Sequence, residues 1–213
     1  MASGSVDKVK VWDVRKQVCL QDVLTGTEYP VTYLRSGEGP HGKLLWAGCG
    51  DGTIRAFDCR MSDKLSCVAT VSEHSGPVIC IHQSQWHGSG HTLVSGATGG
   101  ATGTKASSQA KETSGTACFW DIRSFTSPVR SVETGAMTAM AVHNYAPVFA
   151  CGSHKQAIKV FDAAGKELNR IRYHEGFLGQ RIGPVSCLAF HPHHSYLAAG
   201  AVDAYVALFR GTK

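Results

Sequence analysis

Short stretches in which apolar and polar residues alternate recur along the whole chain, separated by clusters of Gly, Asp and Ser. The most regular is TACFWDIR at 116–123, a run of β-branched and aromatic residues that ends in a Trp-Asp pair. Alternation with a period of two predicts β-strands, and Gly and Asp between such runs are typical of tight turns. The pattern therefore predicts an all-β domain of short strands.

Copies of this stretch recur at a nearly constant interval. They are KVKVWDVR at 8–15, TIRAFDCR at 53–60, AIKVFDAA at 157–164 and the more divergent YVALFRG at 205–211. The aromatic and acidic signature residues are Trp12, Asp13, Phe57, Asp58, Trp120, Asp121, Phe161, Asp162 and Phe209. Successive aromatics are 45, 63, 41 and 48 residues apart, and an insertion of 15 residues accounts for the long interval. A period of roughly 40 to 45 residues with a WD signature is typical of a β-propeller blade.

The repeat predicts five units with different numbers of strands. Their bounds are 1–23, 24–73, 74–133, 134–173 and 174–213. We expect the first unit to supply two strands and the last unit three, which gives about four and a half blades. An arc of blades exposes apolar sheet faces at both ends, so we expect the chain to be a fragment. Closure into a four-bladed ring is the alternative, but it leaves the YVALF strand without a place.

The insertion at 97–115 is rich in Gly, Ser and Thr and contains no aliphatic residue larger than Ala. Such a segment buries too little surface to offset its ordering entropy, so we expect a disordered loop between two paired strands. Phosphorylation of Ser107, Ser108, Thr113 or Ser114 would add negative charge there. A tolerated surface insertion without a role is the favoured alternative.

Composition narrows the class of protein. The 213 residues are 43% hydrophobic and 17% charged, with a net charge of +5 spread over all units rather than clustered. A nucleic-acid partner is therefore not expected. No apolar run is long enough to span a membrane and no signal peptide precedes the repeats, so we expect a cytoplasmic protein without membrane insertion. In that compartment the eight cysteines are expected to be buried, reduced thiols.

The histidines raise the question of a metal site. His82, His143 and His191 occupy one repeat position, and equivalent positions in neighbouring blades lie roughly 10 Å or more apart. With His193 and His194, His191 forms an HPHH sequence, but a closed zinc site needs three or four ligands. A proline-containing turn is the favoured explanation. We expect no catalytic residue, no metal and no cofactor, since no hydrolase, metalloprotease or P-loop motif occurs.

Two groups of residues are candidates for contacts with a partner. Arg15, Arg60 and Arg123 each follow the WD-type Asp by two residues, so the repeat puts them on one face, where they could meet an acidic protein. A local salt bridge within each turn is the alternative. The second group is in the connector HEGFLGQRIG at 174–183 and consists of Phe177, Leu178 and Arg181.

Beyond the general WD repeat, three stretches are more specific: WAGCGDGTIRAFDCRM at 46–61, GFLGQR at 176–181 and SCLAFHPH at 186–193. With these stretches the chain resembles the C-terminal propeller of the Raptor family, the regulatory subunits of target of rapamycin (TOR) complex 1. The resemblance extends over nearly the whole chain. It implies a seven-bladed ring and a non-enzymatic scaffold that joins the TOR kinase to its substrates and regulators in nutrient-dependent growth control.

The same resemblance implies recruitment of a cytoplasmic protein to the lysosomal or vacuolar surface. Family members carry a caspase-like region and a helical solenoid before the propeller, and this sequence contains neither. The known contacts of the family involve those parts, so no functional residue is transferred to this sequence. A WD-repeat adaptor of another multiprotein assembly is the alternative, and capture of such an assembly without TOR kinase would support it.

Overall fold

The computed structural model describes residues 1–38, 41–60, 66–88, 90–99, 114–172 and 183–211. Within these ranges 18 β-strands form five antiparallel sheets. The first two sheets contain β1 (Ala2–Gly4), β2 (Lys8–Asp13) and β3 (Val18–Leu24), and then β4 (Val31–Ser36), β5 (Leu44–Cys49), β6 (Thr53–Asp58) and β7 (Ser66–Ser72). The third contains β8 (Val78–Ser84), β9 (Thr92–Ala97), β10 (Gly115–Asp121) and β11 (Arg130–Gly135).

The fourth sheet contains β12 (Ala139–Val142), β13 (Val148–Gly152), β14 (Ala157–Asp162) and β15 (Glu167–Arg172), and the fifth contains β16 (Val185–Phe190), β17 (Tyr196–Ala201) and β18 (Val206–Arg210). Two short 3-10 turns, Trp86–Gly88 and Ile122–Ser124, belong to the third sheet's connections. In every sheet each strand pairs with the next one along the chain. The all-β WD-repeat architecture predicted from the sequence is confirmed.

The sheets pack face to face in chain order. Side chains alternate between the two faces of each strand, and in β10 Cys118 and Trp120 join the core shared with the second sheet, while Ala117 and Phe119 join the core shared with the fourth. Both faces of the interior sheets are therefore covered, which explains why their strands are so rich in apolar residues. The first strands of the four later sheets, β4, β8, β12 and β16, contact one another in series.

The first unit has one strand more than the sequence predicted. The tail at Ala2–Gly4 pairs with β2, with Ala2 opposite Val11 and Gly4 opposite Val9, and so completes a three-stranded sheet. Three residues suffice because the amino group of Met1 and the carbonyl of Trp12 extend the ladder with a hydrogen bond of 3.0 Å.

The insertion leaves the strands on either side of it paired. Ala97 lies opposite Thr116, so β9 and β10 pair up to the ends of the insertion, and its predicted first and last residues, Ala97 and Gly115, belong to strands. The predicted pairing is confirmed, and the boundaries were placed too wide. Residues 100–113, including the possible phosphorylation sites other than Ser114, lie outside the described residues.

Candidate interaction surfaces

The signature aromatics have a structural role. Trp120 is buried, and its indole Nε1 donates a hydrogen bond of 2.8 Å to the hydroxyl of Ser95 on β9. The Ser95 hydroxyl also lies 2.7 Å from Nε2 of His74, whose Nδ1 lies 2.8 Å from the Thr116 hydroxyl. In the first sheet Trp12 donates in the same way to Ser3, at 2.9 Å. The tryptophan bonds join the WD-type strand to the strand before it, and His74 joins β9 and β10 to the segment that precedes β8.

His74 is a member of this network that the repeat alignment missed. The imidazole is almost completely buried, and burial lowers its pKa to about 4. The signal in the sequence was available, since WD repeats pair a histidine ahead of the blade with the Trp-Asp that ends the third strand. Here that histidine follows Glu73, ahead of β8.

The arginines of the WD-type turns form local ion pairs that leave the guanidinium exposed. Arg60 bonds both carboxylate oxygens of Asp58, with its Nη2 at 2.7 Å, and Arg123 bonds Asp121 in the same way, with its Nη2 at 2.6 Å. The two side chains nevertheless remain 61% and 66% exposed. The salt-bridge alternative thus describes the turn correctly, while the charges stay accessible.

Arg15 differs from the other two arginines. Its backbone N–H donates to Asp13 Oδ1 at 2.9 Å, as in the other turns, but within the described part of the chain its guanidinium forms no ion pair. The second candidate group, Phe177, Leu178 and Arg181, lies outside the described residues. Both groups remain predictions.

The histidines at the ends of the first strands act as turn acceptors. Nδ1 of His143 accepts the backbone N–H groups of Tyr145 and Ala146, at 3.2 and 3.0 Å. His191 accepts those of His193 and His194 in the same way, both at 3.1 Å. This geometry supports the turn explanation for HPHH, and among the described residues no three His, Cys, Asp or Glu side chains are placed to hold a metal.

A basic cleft, which was not predicted from the sequence, lies between the third and fourth sheets. It has a volume of about 460 Å³. Its floor is one face of β14 and β15 with the β13–β14 turn, and its rim is the end of β11 with the next residue, Thr134 to Ala136. The charged residues that line it are all cationic: Lys155, Lys159, Arg170 and Arg172. This cleft lies at the start of the third strand of its sheet, whereas the WD-type arginines lie at the end of that strand.

Most of the cations that line the cleft lie on the paired strands β14 and β15. Lys159 and Arg170 face each other across β14 and β15, and Ala157 faces Arg172. Arg170 and Arg172 are two residues apart, so the sequence alone predicts that they share one face of β15. Whether Lys159 lies beside them depends on the register between β14 and β15. Sequence reasoning alone leaves that register open, because a slip of one residue would reverse the faces.

The outward face of the fifth sheet is apolar. Val206 and Leu208 on β18 are 78% and 72% exposed, and Cys187 on β16 is exposed on the same sheet.

All eight cysteines are free thiols, but only Cys49, Cys80, Cys118 and Cys151 are buried. The expectation of burial is therefore wrong for Cys19, Cys59, Cys67 and Cys187, which occupy outer strands, turns or this outward face. No helix in the described ranges is long and apolar enough to cross a bilayer.

Comparison with known proteins places these surfaces in context. Residues 175–210 match the WD domain, G-beta repeat family. A raptor homolog of Dictyostelium discoideum is 37% identical over 96% of this chain, and regulatory-associated protein of TOR 1 of Arabidopsis thaliana is 36% identical over 98%. The chain spans only 12% and 14% of those two proteins. The crystal structure of Raptor from Chaetomium thermophilum superimposes with a TM-score of 0.77 and 25% identity, over the whole of this chain and 18% of that one.

Proposed function

Because the chain is a relative of the WD-repeat portion of the Raptor proteins over nearly its whole length, we propose that it is a protein-interaction scaffold of TOR signalling. The observation that carries this proposal is the similarity over 96 to 98% of the chain at 36 to 37% identity. The general WD fold would be compatible with many adaptors. Similarity of this extent to one kind of complex subunit favours that assembly over a generic adaptor.

The scaffold is non-catalytic in this proposal. Its surfaces present turns and strand edges that are held by local hydrogen bonds, such as the Asp58–Arg60 and Asp121–Arg123 pairs. A rigid ring of blades offers two faces formed by such turns, and proteins bind there. The partners are the TOR kinase complex and its substrates or regulators, and the role is in nutrient-dependent growth control.

We place the protein in the cytoplasm, with recruitment to the lysosomal or vacuolar surface through its partners. The similarity to TOR complex 1 subunits supports this location. The seven-bladed ring remains part of the proposal, as do the five unit boundaries and the exposed arginines at Arg15, Arg60 and Arg123 as partner contacts.

Affinity capture tests the proposal. The protein is tagged at its own chromosomal locus, so that the natural polypeptide is captured, and the eluate is probed for TOR kinase by immunoblotting and by mass spectrometry. We expect TOR kinase to copurify in stoichiometric amount. Recovery of a ubiquitin-ligase or vesicle-coat assembly without TOR kinase would replace the proposal by the generic adaptor.

A further inference from the structure

We propose that His41 and His91 form a pH-sensitive latch, which holds the turn between β4 and β5 against the third sheet at neutral pH and releases it in acid. Nε2 of His41 lies 3.0 Å from Nδ1 of His91, and the two rings meet edge to face with their centroids 5.2 Å apart. His41 lies in the connection between β4 and β5 of the second sheet, whereas His91 directly precedes β9 of the third. The contact therefore joins two sheets through two titratable groups.

The turn has one further attachment to the third sheet, and that one does not titrate. The backbone N–H of Glu38 donates to Oε1 of Gln83 at 2.8 Å, and the carbonyl of Glu38 accepts from Nε2 of Gln83 at 3.1 Å. His91 itself is fixed to the third sheet, since its carbonyl accepts the backbone N–H of Ile122 at 2.9 Å. Protons can therefore break the attachment at His41 while the attachment at Glu38 stays in place.

The boundary between the third and fourth sheets is bridged by groups that do not titrate. The indole Nε1 of Trp86 donates to the carbonyl of His143 at 2.8 Å, and the backbone N–H of Gln85 donates to the carbonyl of Asn144 at 2.8 Å. Backbone carbonyls accept hydrogen bonds at any pH at which the protein is folded. Packing of two such sheets thus does not require an imidazole pair, and the pair at the preceding boundary adds a dependence on pH.

The geometry of the pair allows one added proton but not two. In a neutral imidazole one nitrogen carries a proton and the other is bare, so one ring donates to the other. A proton added to the donor ring leaves this hydrogen bond in place and makes it charge-assisted. A second proton, on the acceptor ring, would set N–H against N–H and two positive charges against each other. The second proton must therefore separate the two rings.

The charges around the pair favour a single added proton. Partial burial and then the charge of His91 lower the pKa of His41, and the charge of Asp121 opposes them. Hydrogen bonds from Arg123 hold the pKa of Asp121 at about 2, so this carboxylate stays negative while the histidines titrate. Its charge supports one imidazolium at the latch. Two imidazolium rings in contact are disfavoured, whereas in the unfolded chain both histidines can be charged.

The other charged groups of the turn are engaged elsewhere. The carboxylate of Glu38 pairs with Nη2 of Arg35 at 2.8 Å, and the charge of Lys43 acts on Asp58. Within the described ranges, the charged and titratable groups that act on His41 are therefore the two already named, His91 and Asp121. The response of the latch to pH follows from these groups.

The latch opens as the pH falls. A histidine ordinarily has a pKa of about 6.5, and the pKa of His41 in the folded protein is lower. The contribution of the contact is thus complete above about pH 6.5, where both rings are neutral in the open and the closed state. Below that pH the open state binds a proton that the closed state does not, so the closed state loses up to about tenfold in population ratio per pH unit.

The latch adjoins the WD-type turn of the third sheet. Asp121 of that turn acts on His41, and it also holds the side chain of Arg123, which remains 66% exposed. Opening of the latch moves His41 away from this carboxylate. The surface around Arg123 therefore differs between the closed and the open state.

Hydrogen–deuterium exchange of the natural polypeptide, measured by mass spectrometry on a peptide that covers residues 36–44, tests the latch. Exchange rates are corrected for the intrinsic effect of pH on amide exchange and expressed as protection factors. We expect the protection factor to fall about fivefold to tenfold between pH 7.5 and pH 5.5. His41→Ala and His91→Ala should each lower it about threefold to tenfold at pH 7.5, the contribution of one hydrogen bond, and should remove most of its dependence on pH.

The double variant should match the two single variants, because all three lack the same contact. His154→Ala is the matched control, since His154 is an exposed histidine of the β13–β14 turn, and it should behave as the original protein does at both pH values. A protection factor that does not change with pH would overturn the inference, and so would an unchanged pH dependence in His41→Ala and His91→Ala. Additive effects of the two replacements would also overturn it. The measurement uses no partner, so its outcome is independent of the proposed scaffold function.

Discussion

Gly48 at the end of β5 lies directly against Val78, the first residue of β8 in the next sheet. A Cβ atom placed on Gly48 would lie 2.6 Å from Val78 Cγ1 and 2.8 Å from Val78 Cβ, closer than any side-chain carbon can approach. The same contact recurs at other sheet boundaries, between Gly4 and Val31, Gly96 and Met140, and Gly152 and Val185. At these four boundaries a glycine near the end of the strand that precedes the WD-type strand therefore allows the next sheet to approach.

Replacing Gly48 by Ala should destabilise the protein by about 1 to 3 kcal/mol, because the added methyl group overpacks a boundary in which Val78 is fully buried. Urea unfolding followed by tryptophan fluorescence measures the change. The double variant Gly48→Ala with Val78→Ala provides the control, since it removes Val78 Cγ1, the closer of the two atoms that the new methyl group would meet. Its loss of stability should be smaller than the sum of the two single losses, and simple additivity would argue against the contact.

Ser95→Ala should destabilise the protein by about 1 to 3 kcal/mol, because it leaves the buried Trp120 N–H and one nitrogen of His74 without a partner. Ser3→Ala is the matched control, since it removes the same kind of bond from Trp12 in the partly exposed first sheet. Water can replace the hydroxyl there, so its effect should be clearly smaller in the same unfolding assay. Equal losses of stability in Ser95→Ala and Ser3→Ala would show that burial of the network does not increase its contribution to stability.

The repeat made most of the fold predictable. The spacing of the aromatics located the WD-type strand of every sheet, and TACFWD is a strand as predicted, whereas its burial on both faces, which Phe119 and Trp120 show, was not predicted. The short strand at Ala2–Gly4 was harder to predict, because three small residues carry no alternation of their own. Its pairing depends on the neighbouring β2.

The candidate site was less predictable for a physical reason. The WD-type arginines are local to one turn, so their geometry with Asp58 and Asp121 follows from the sequence spacing. The basic cleft combines side chains from two strands, one turn and the rim of another sheet. Strand register and the distance between sheets determine that combination, and neither is encoded by the spacing of residues along one strand.

Acid should destabilise the protein through His74 between about pH 6.5 and pH 4. The buried imidazole has its pKa lowered from 6.5 to about 4, so the unfolded chain binds a proton in this window that the folded chain does not. The stability contributed by neutral His74 is complete above pH 6.5 and falls by about 1.4 kcal/mol per pH unit toward pH 4. His82, whose pKa burial also lowers to about 4, adds a similar dependence.

The variant His74→Asn isolates this contribution. It should be less stable than the original protein at pH 7.5, because the bonds to Ser95 and Thr116 are weakened. Between pH 6.5 and pH 5, however, its free energy of unfolding should fall less steeply with pH than that of the original protein. The difference in slope should be that of one proton, about 1.4 kcal/mol per pH unit. Urea titrations at half-unit intervals of pH give both slopes, and parallel curves would show that His74 does not titrate in this window.

The WD-type turn separates the role of the Asp from that of the Arg. Asp58 accepts the backbone N–H of Arg60 at 2.9 Å, whereas the Arg60 side chain adds an ion pair at the surface, where such pairs contribute little to stability. Asp58→Ala should therefore lower the thermal unfolding midpoint, and Arg60→Ala should leave it unchanged.

The three arginines of the WD-type turns can be tested as partner contacts in the same way. If Arg15, Arg60 and Arg123 meet an acidic partner, replacing all three by Ala will reduce the capture of TOR kinase and leave the thermal unfolding midpoint unchanged. Lys16→Ala, an exposed cation in a turn of the same kind, is the control, and an equal reduction in both variants would indicate a nonspecific effect of charge.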